Sequence, residues 1–125
     1  MKITPVLIVD EVEKSLDFWM ERMGFSMVTN VPEGLKIGFA ILARDGAELM
    51  LQTLSSVLKD QPQFAAGAVD PRGTVLFLEV DDFADVRKRL EGYPIAVPER
   101  VMFYGMREIV VFEPAGHPVV FAAPA

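Results

Sequence analysis

The spacing of apolar and polar positions predicts one strand, one helix and three strands in the first half of the chain. Apolar residues there form short runs of strand length, except where they recur every three to four residues along one helical face. That face consists of Val12, Leu16, Trp19, Met20 and Met23. Gly24 follows it as a helix stop. The predicted strands cover residues 3–9, 25–31, 36–43 and 47–54.

The second half repeats this order after a connecting segment. Residues 55–72 lack a regular apolar period and contain Pro62, Gly67 and Pro71, which predicts a linker with room for one helical turn. The predicted strands beyond it cover residues 74–80, 95–103, 106–112 and 118–122. The helix between the first two of these strands has an apolar face of Phe83, Val86 and Leu90 and ends at Gly92.

Acidic residues mark the start of both predicted helices. Asp10 and Glu13 have the spacing that satisfies free amide groups at a helix N-terminus, and Asp81 and Asp82 precede the second helix. The two starts also match in sequence, since LIVDEV at 7–12 aligns with LEVDDF at 78–83. The chain is therefore predicted to be one α+β domain, residues 1–125, built from two βαβββ modules. Module 1 covers about 1–54, the linker 55–72 and module 2 about 73–125.

Composition narrows the possible partners. The net charge is -6 and the 12 basic residues are scattered, apart from Arg87, Lys88 and Arg89, so nucleic acid is not an expected partner. No apolar stretch approaches the roughly 18 residues of a membrane-spanning helix, and the N-terminus lacks the features of a secretory signal. A cytoplasmic protein without membrane contact is expected. The absence of cysteine excludes thiolate chemistry and cysteine-based metal sites.

Three motifs along the chain are similar to those of one known family. Residues 6–19, VLIVDEVEKSLDFW, and Met23-Gly24-Phe25 resemble its opening strand and helix, and Glu48-Leu49-Met50-Leu51 resembles its fourth strand. YGMRE at 104–108 with EPAGH at 113–117 is similar to its closing hairpin, although Glu113 and His117 depart from the usual Asp and Asn. The family is the vicinal oxygen chelate superfamily, which includes glyoxalase I, extradiol dioxygenases and the bleomycin-binding resistance proteins.

The resemblance implies that this chain lacks the family's metal site. In the metal-dependent members, side chains from the first, fourth, fifth and eighth strands hold one divalent ion. The resemblance places Ile3, Met50, Val75 and Val120 at these positions. None of them offers the nitrogen or oxygen ligand that such an ion needs. The single histidine, His117, stands in a turn and is interpreted as solvated, so no metal and no other cofactor is predicted.

An apolar cleft enclosed by the two modules is predicted instead to bind a small hydrophobic or aromatic molecule, such as an antibiotic or a metabolite. The predicted ligand-binding residues are Met50, Val75, Phe77, Phe103, Tyr104, Met106, Val120 and Glu48. A structural role is an equal alternative for Phe103, Tyr104 and Met106. Glu48, Glu79 and Glu108 are candidates to face the cleft and pair with a cationic ligand, and solvated edge positions are the alternative for all three.

Two other functions stay open. The first is a divergent lyase or dioxygenase-type enzyme of the same superfamily, either with a metal bound by residues aligned differently or metal-free with Glu48 or Glu79 as a general base. The second is a dimeric interaction domain. The residues favour binding over catalysis because they include no Ser–His–carboxylate set and no Gly-rich phosphate loop, and no catalytic residue is predicted. The resemblance also implies a homodimer, because the family forms its clefts by pairing modules within or between chains.

Overall fold

Both halves of the chain form a four-stranded sheet with the same strand order. The order is β1-β4-β3-β2 in the first sheet and β5-β8-β7-β6 in the second. The first strand of each sheet runs parallel to the last, and the other neighbours are antiparallel. The structure is a computed structural model that describes residues 1–63, 70 and 73–125. It divides the chain into two units, Met1–Pro71 and Arg72–Ala125, and confirms the predicted α+β class with two similar modules.

The first unit contains four strands and two helices. The strands are β1 (Val6–Val9), β2 (Ser26–Glu33), β3 (Lys36–Arg44) and β4 (Ala47–Thr53). The helices are α1 (Val12–Leu16), which continues as a π-helical segment over Asp17–Arg22, and α2 (Leu54–Asp60). β1 begins three residues later than predicted, and α2 occupies part of the predicted linker. Residues 64–69, 71 and 72 of that linker lie outside the described residues.

The second unit contains four strands and one helix within the described residues. The elements are β5 (Leu76–Glu79), α3 (Phe83–Arg89), β6 (Val97–Val101), β7 (Met106–Phe112) and β8 (Pro118–Pro124). β7 has the predicted bounds, whereas β5 and β6 are shorter than predicted and β8 is two residues longer. None of the helices in the described ranges has the length and apolar character that a membrane crossing requires.

The core of the first unit lies between one face of its sheet and its helices. Leu7, Leu51 and Ala40 are register partners on β1, β4 and β3, and all three are buried. α1 lies against β3 and β4. Because side chains alternate along a strand, the residues between these buried ones lie on the opposite face of the sheet.

The π-helical segment changes which side chains enter this core. The predicted helical face included Leu16 and Met20, but both are only half-buried, and Phe18 and Trp19 are fully buried side by side. A π-helix turns through a smaller angle per residue than an α-helix, so consecutive residues can point to the same side. The Trp19 ring makes edge-to-face contacts with Phe18 and Phe25 at centroid distances of 5.0 and 5.2 Å. Trp19 is therefore a core residue.

The predicted caps were right for one helix and wrong for the other. Asp82 caps α3, since its carboxylate accepts a hydrogen bond from the Asp85 backbone N–H at 3.1 Å. In the first unit the N-cap is Glu11, and its side chain makes no cap hydrogen bond. The Glu13 carboxylate instead accepts the Ile37 backbone N–H at 2.8 Å, so it connects α1 to the start of β3. The longer Glu side chain reaches a neighbouring strand, which the sequence spacing alone does not reveal.

An ionic cluster connects α3 to the edge of the second sheet. Glu99 on β6 accepts hydrogen bonds from Arg87 on α3 and from Arg107 on β7. The Arg87 guanidinium also lies 5.0 Å from the centroid of the Phe83 ring. The hydrogen bond from Arg87 is the largest of the effects that lower the pKa of Glu99 from 4.5 to about 2. The ionised carboxylate therefore contributes to the stability of this unit.

Replacing Glu99 with glutamine is expected to lower the free energy of unfolding by about 1 kcal/mol at neutral pH, since a partly exposed ion pair is screened by solvent. The folded-state pKa lies below the usual value of 4.5, so the contribution of Glu99 is fully present above pH 4.5 and is lost as the pH falls toward 2. Urea unfolding at about pH 7 and about pH 3 should show a difference between the two proteins that narrows at the lower pH. The exposed Glu21→Gln is the control, and a difference independent of pH would contradict this account.

Candidate ligand-binding face

The side of the second sheet opposite its buried residues Ile109, Val111, Val119 and Phe121, here called the open face, carries alternate residues of its four strands. One row crosses the sheet through four register partners, and the next row lies two residues further on β5, β7 and β8 and, past a register shift, three residues further on β6. The first row is Phe77, Val120, Val110 and Val97. The second row is Glu79, Ala122, Glu108 and Arg100. The open face therefore combines an apolar row with a charged row.

The apolar row presents an aromatic ring to solvent. Phe77 is 49% exposed, and its partner Val120 on β8 and the neighbouring Val110 on β7 are half-buried. Met106, at the start of β7, lies on the same face and is also half-buried. A partly exposed ring beside aliphatic and thioether groups can contact a planar apolar molecule. Three of the predicted ligand-binding residues, Phe77, Met106 and Val120, thus share one face.

The charged row contains a buried carboxylate. Glu108 is only 4% exposed, and the Tyr104 hydroxyl donates a hydrogen bond to its Oε2. This hydrogen bond is the main cause that raises the pKa of Tyr104, and the nearby Arg100 acts in the opposite direction. Tyr104 therefore keeps its proton and remains a donor. The sequence names Glu108 as one of three candidate carboxylates without distinguishing it from Glu48 and Glu79. The sequence signal that places Glu108 beside the apolar row is its alternation with Met106 and Val110.

The β6–β7 hairpin carries two exposed aromatic rings. Phe103 is 97% exposed and Tyr104 is 50% exposed, and their rings meet edge to face with centroids 5.1 Å apart. Gly105 has a φ of +88°, a conformation that side chains disfavour, and it allows the chain to return into β7. Phe103 lies outside the strands, so the structure does not place it on the open face. The Tyr104 hydroxyl does contact that face, because it donates its hydrogen bond to Glu108.

Two other predicted residues lie on the first sheet. Met50 on β4 is half-buried and has Val6 and Ile41 as its register partners. Glu48 pairs with Lys2, whose Nζ lies 2.8 Å from its Oε2. The negative charge of Glu48 is therefore already balanced within its own unit, which disfavours it as a partner for a cationic ligand.

The residues present do not fit the divalent ion that the family's enzymes use. Two of the residues that the resemblance places at the metal positions, Ile3 and Val75, precede β1 and β5 and are exposed. The residues that pair with the other two, Met50 and Val120, are Val6 and Phe77, so these are the alternative candidates on β1 and β5. With either choice, all four side chains end in carbon or thioether groups, which are not ligands for such an ion. Across the described ranges, no three His, Cys, Asp or Glu residues lie close enough together to hold a metal ion.

His117 is not solvated as expected. Both His117 and Glu113 are buried in the β7–β8 turn. The Glu113 carboxylate accepts hydrogen bonds from the backbone N–H groups of Ala115 and His117, at 2.7 and 3.3 Å. Glu113 therefore stabilises the turn through hydrogen bonds to its backbone, although its side chain is longer than that of the usual Asp. The side chains of Glu113 and His117 pack into the unit.

A family model matches almost the whole chain. The model of the glyoxalase/bleomycin resistance protein/dioxygenase superfamily matches residues 3–121. Among curated proteins, no relative matches the chain in sequence.

Solved structures with this fold include one described as an antibiotic binding protein and one described as a lyase. TioX from Micromonospora sp. ML1 is 19% identical, with full coverage of both chains and a TM-score of 0.78. TnmS3, an antibiotic binding protein from Streptomyces sp. CB03234, is 21% identical, with coverage of 100% of this chain and 97% of its own and a TM-score of 0.71. Lactoylglutathione lyase from Agrobacterium tumefaciens is 18% identical, with coverage of 98% and 92% and a TM-score of 0.75. At these identities the likeness concerns the fold.

Alanine substitutions on the two sides of the second sheet should separate binding surface from core. Phe77→Ala removes a ring that is already half-exposed and should lower the free energy of unfolding by less than about 1 kcal/mol. Phe121→Ala, from the neighbouring strand but 1% exposed, should lower it by about 3–5 kcal/mol because it opens a cavity. Chemical denaturation of both variants measures the difference. Equal losses would show that Phe77 is a structural residue.

Proposed function

Because the chain belongs to the glyoxalase/bleomycin resistance protein/dioxygenase superfamily, we propose that it is a metal-free binding protein for a small hydrophobic or aromatic molecule. The ligand contacts the open face of the second sheet, with Phe77, Val120 and Met106 as the central residues. Its role is to sequester an antibiotic or a metabolite in the cytoplasm. The name of the structural neighbour TnmS3, an antibiotic binding protein, agrees with this role.

The observation that carries the proposal is the half-exposed Phe77 ring within the apolar row of the open face. An aromatic ring and aliphatic neighbours exposed together on one face commonly mark a surface that binds a ligand or a partner. Within this unit, the side chains at the family's metal positions, Val75 and Val120, are apolar as well and offer no ligand to a divalent ion. A planar apolar molecule is the occupant that such a surface favours.

Binding of the neutral fluorophore N-phenyl-1-naphthylamine tests the proposal. Wild-type protein should enhance its fluorescence saturably, with or without EDTA, and Phe77→Ala should weaken binding at least about five-fold, as expected when a stacked ring is removed. Leu35→Ala, which shortens an exposed side chain in the β2–β3 turn, is the matched control and should leave binding unchanged. Absence of saturable binding, or a stoichiometric metal ion needed for binding, would contradict the proposal and favour an interaction domain or an enzyme, respectively.

We further propose that the protein is a homodimer in which β2 is covered. β2 is the edge strand of the first sheet, and Val28 and Val31 on it are 62% and 55% exposed. An exposed apolar edge strand is prone to pair with another chain unless it is protected. A second copy of the same chain is the simplest partner with a matching edge.

Sedimentation analysis should give twice the chain mass of 13.9 kDa. The double substitution Val28→Lys and Val31→Lys should shift the protein toward the monomer, because charged edge residues oppose strand pairing. Lysine at the exposed Leu35, in the β2–β3 turn, is the control and should leave the dimer intact. A wild-type monomer at about 50 μM, where a stable interface would be formed, would overturn this assignment.

A further inference from the structure

We infer that Glu108 binds the cationic group of the ligand, and that the Tyr104 hydroxyl occupies this carboxylate when no ligand is bound. The inference rests on the proposed binding function and names the chemical class of the ligand: a planar aromatic body carrying a protonated amine. It assigns Tyr104 the role of a displaceable cover.

The position of Glu108 is unusual for a charged side chain. It lies on β7, one of the two central strands of the sheet, and it is 4% exposed. Its neighbours on the open face include Met106 and Val110 along β7 and Ala122 across on β8. A carboxylate in such surroundings needs compensation, and burial of a charge without a charged partner is costly.

The compensation that Glu108 receives within the described part of the chain is a neutral one. Its side-chain hydrogen bond there comes from Tyr104, a phenol that keeps its proton. Arg100 is the register partner of Glu108 on β6, yet it forms no salt bridge with Glu108 among the described residues. A cationic donor adds the attraction of an opposite charge to the hydrogen bond, and this attraction is larger where water is excluded than at the surface. An ammonium group would therefore be a better partner for Glu108 than the tyrosine.

Tyr104 is placed to give way to such a group. It lies in the β6–β7 hairpin beside Gly105 and is 50% exposed, so its ring can rotate into solvent without displacing core residues. The movement exchanges a hydrogen bond from a neutral phenol for one from a cation, which adds the attraction between opposite charges. Glu79, the other carboxylate of the same row, is exposed and already solvated, so its attraction for a cation is much weaker.

The distances fit a ligand with its amine close to its ring system. Val110 is two residues from Glu108 along β7, which corresponds to about 7 Å. An aromatic body lying over Val110, Val120 and Phe77 would therefore place an amine one or two bonds beyond its ring beside Glu108. The net charge of -6 also favours the approach of a cation.

Three naphthalene compounds of matched shape test the inference: protonated 2-naphthylmethylamine, 2-naphthalenemethanol and 2-naphthoate. Titration calorimetry with wild-type protein should show the amine binding at least about ten-fold more tightly than the alcohol, with the carboxylate weakest. Glu108→Gln should abolish the preference for the amine. Tyr104→Phe should strengthen binding of the amine about three-fold, because it removes the competing donor while leaving the ring in place.

Glu79→Gln is the matched control, because it removes the same charge from the same row at an exposed position. It should change the preference for the amine less than about two-fold. If the alcohol and the amine bind wild-type protein equally, the inference is overturned while the proposed function stands. If 2-naphthoate binds most tightly, Arg100 is the charged contact and the inference is also overturned. If none of the three binds and N-phenyl-1-naphthylamine is silent as well, the proposed function itself fails.

The opposite effects of the two variants distinguish recognition from a structural role. Were the Tyr104–Glu108 hydrogen bond only a support for the hairpin, Tyr104→Phe and Glu108→Gln would both lower the melting temperature and change affinity for all three compounds in the same direction. If Glu108→Gln does not fold, the wild-type comparison of the three compounds and the Tyr104→Phe result still decide. A Tyr104→Phe protein that binds the amine more weakly than wild type contradicts the inference.

Discussion

The structure depends on one constraint: each sheet buries a single face. Helices cover one side of the strands in each unit, and the alternation of side chains then fixes what the other side presents. A shift of one residue in β7 would exchange Glu108 with the buried Ile109 and place a carboxylate among Val119 and Phe121. The register that buries the core therefore also determines the composition of the open face. Core and binding surface are two consequences of the same alternation.

The parts of the fold that follow from local periodicity were predictable. The strand alternation of β7 gave its bounds, and the spacing of Phe83, Val86 and Leu90 gave the buried face of α3. The parts that depend on tertiary contacts were not. Leu16 and Met20 fit a regular helix but lie off the core because the chain turns to a π-helix after α1. Glu13 fits a capping box, yet its side chain serves β3.

The candidate site shows the same division. Alternation within one strand can be derived from the sequence, as for Met106 and Val110 on β7. That Phe77 on β5 shares their face follows only from the strand pairing. Whether a polar residue is buried depends on its neighbours across the sheet and on loops, and neither is encoded in a local period. Glu108 is covered by a tyrosine from the adjoining hairpin, and His117 is drawn inside by a turn that Glu113 fixes. These contacts become visible only once the strands are paired.

The two units differ in how they treat a carboxylate on the face opposite the core of a similar sheet. In the first, Glu48 on the central strand β4 pairs with Lys2 at 2.8 Å, so its charge is balanced within the unit. In the second, Glu108 lies on a central strand with a phenol as its partner, while Glu99 on the edge strand takes Arg87 and Arg107. Arg87 and Arg107 of the second unit thus contribute to the contact between α3 and the sheet through Glu99. The repeat supplies two comparable surfaces, and on just one of them, within the described residues, a buried acid forms no salt bridge.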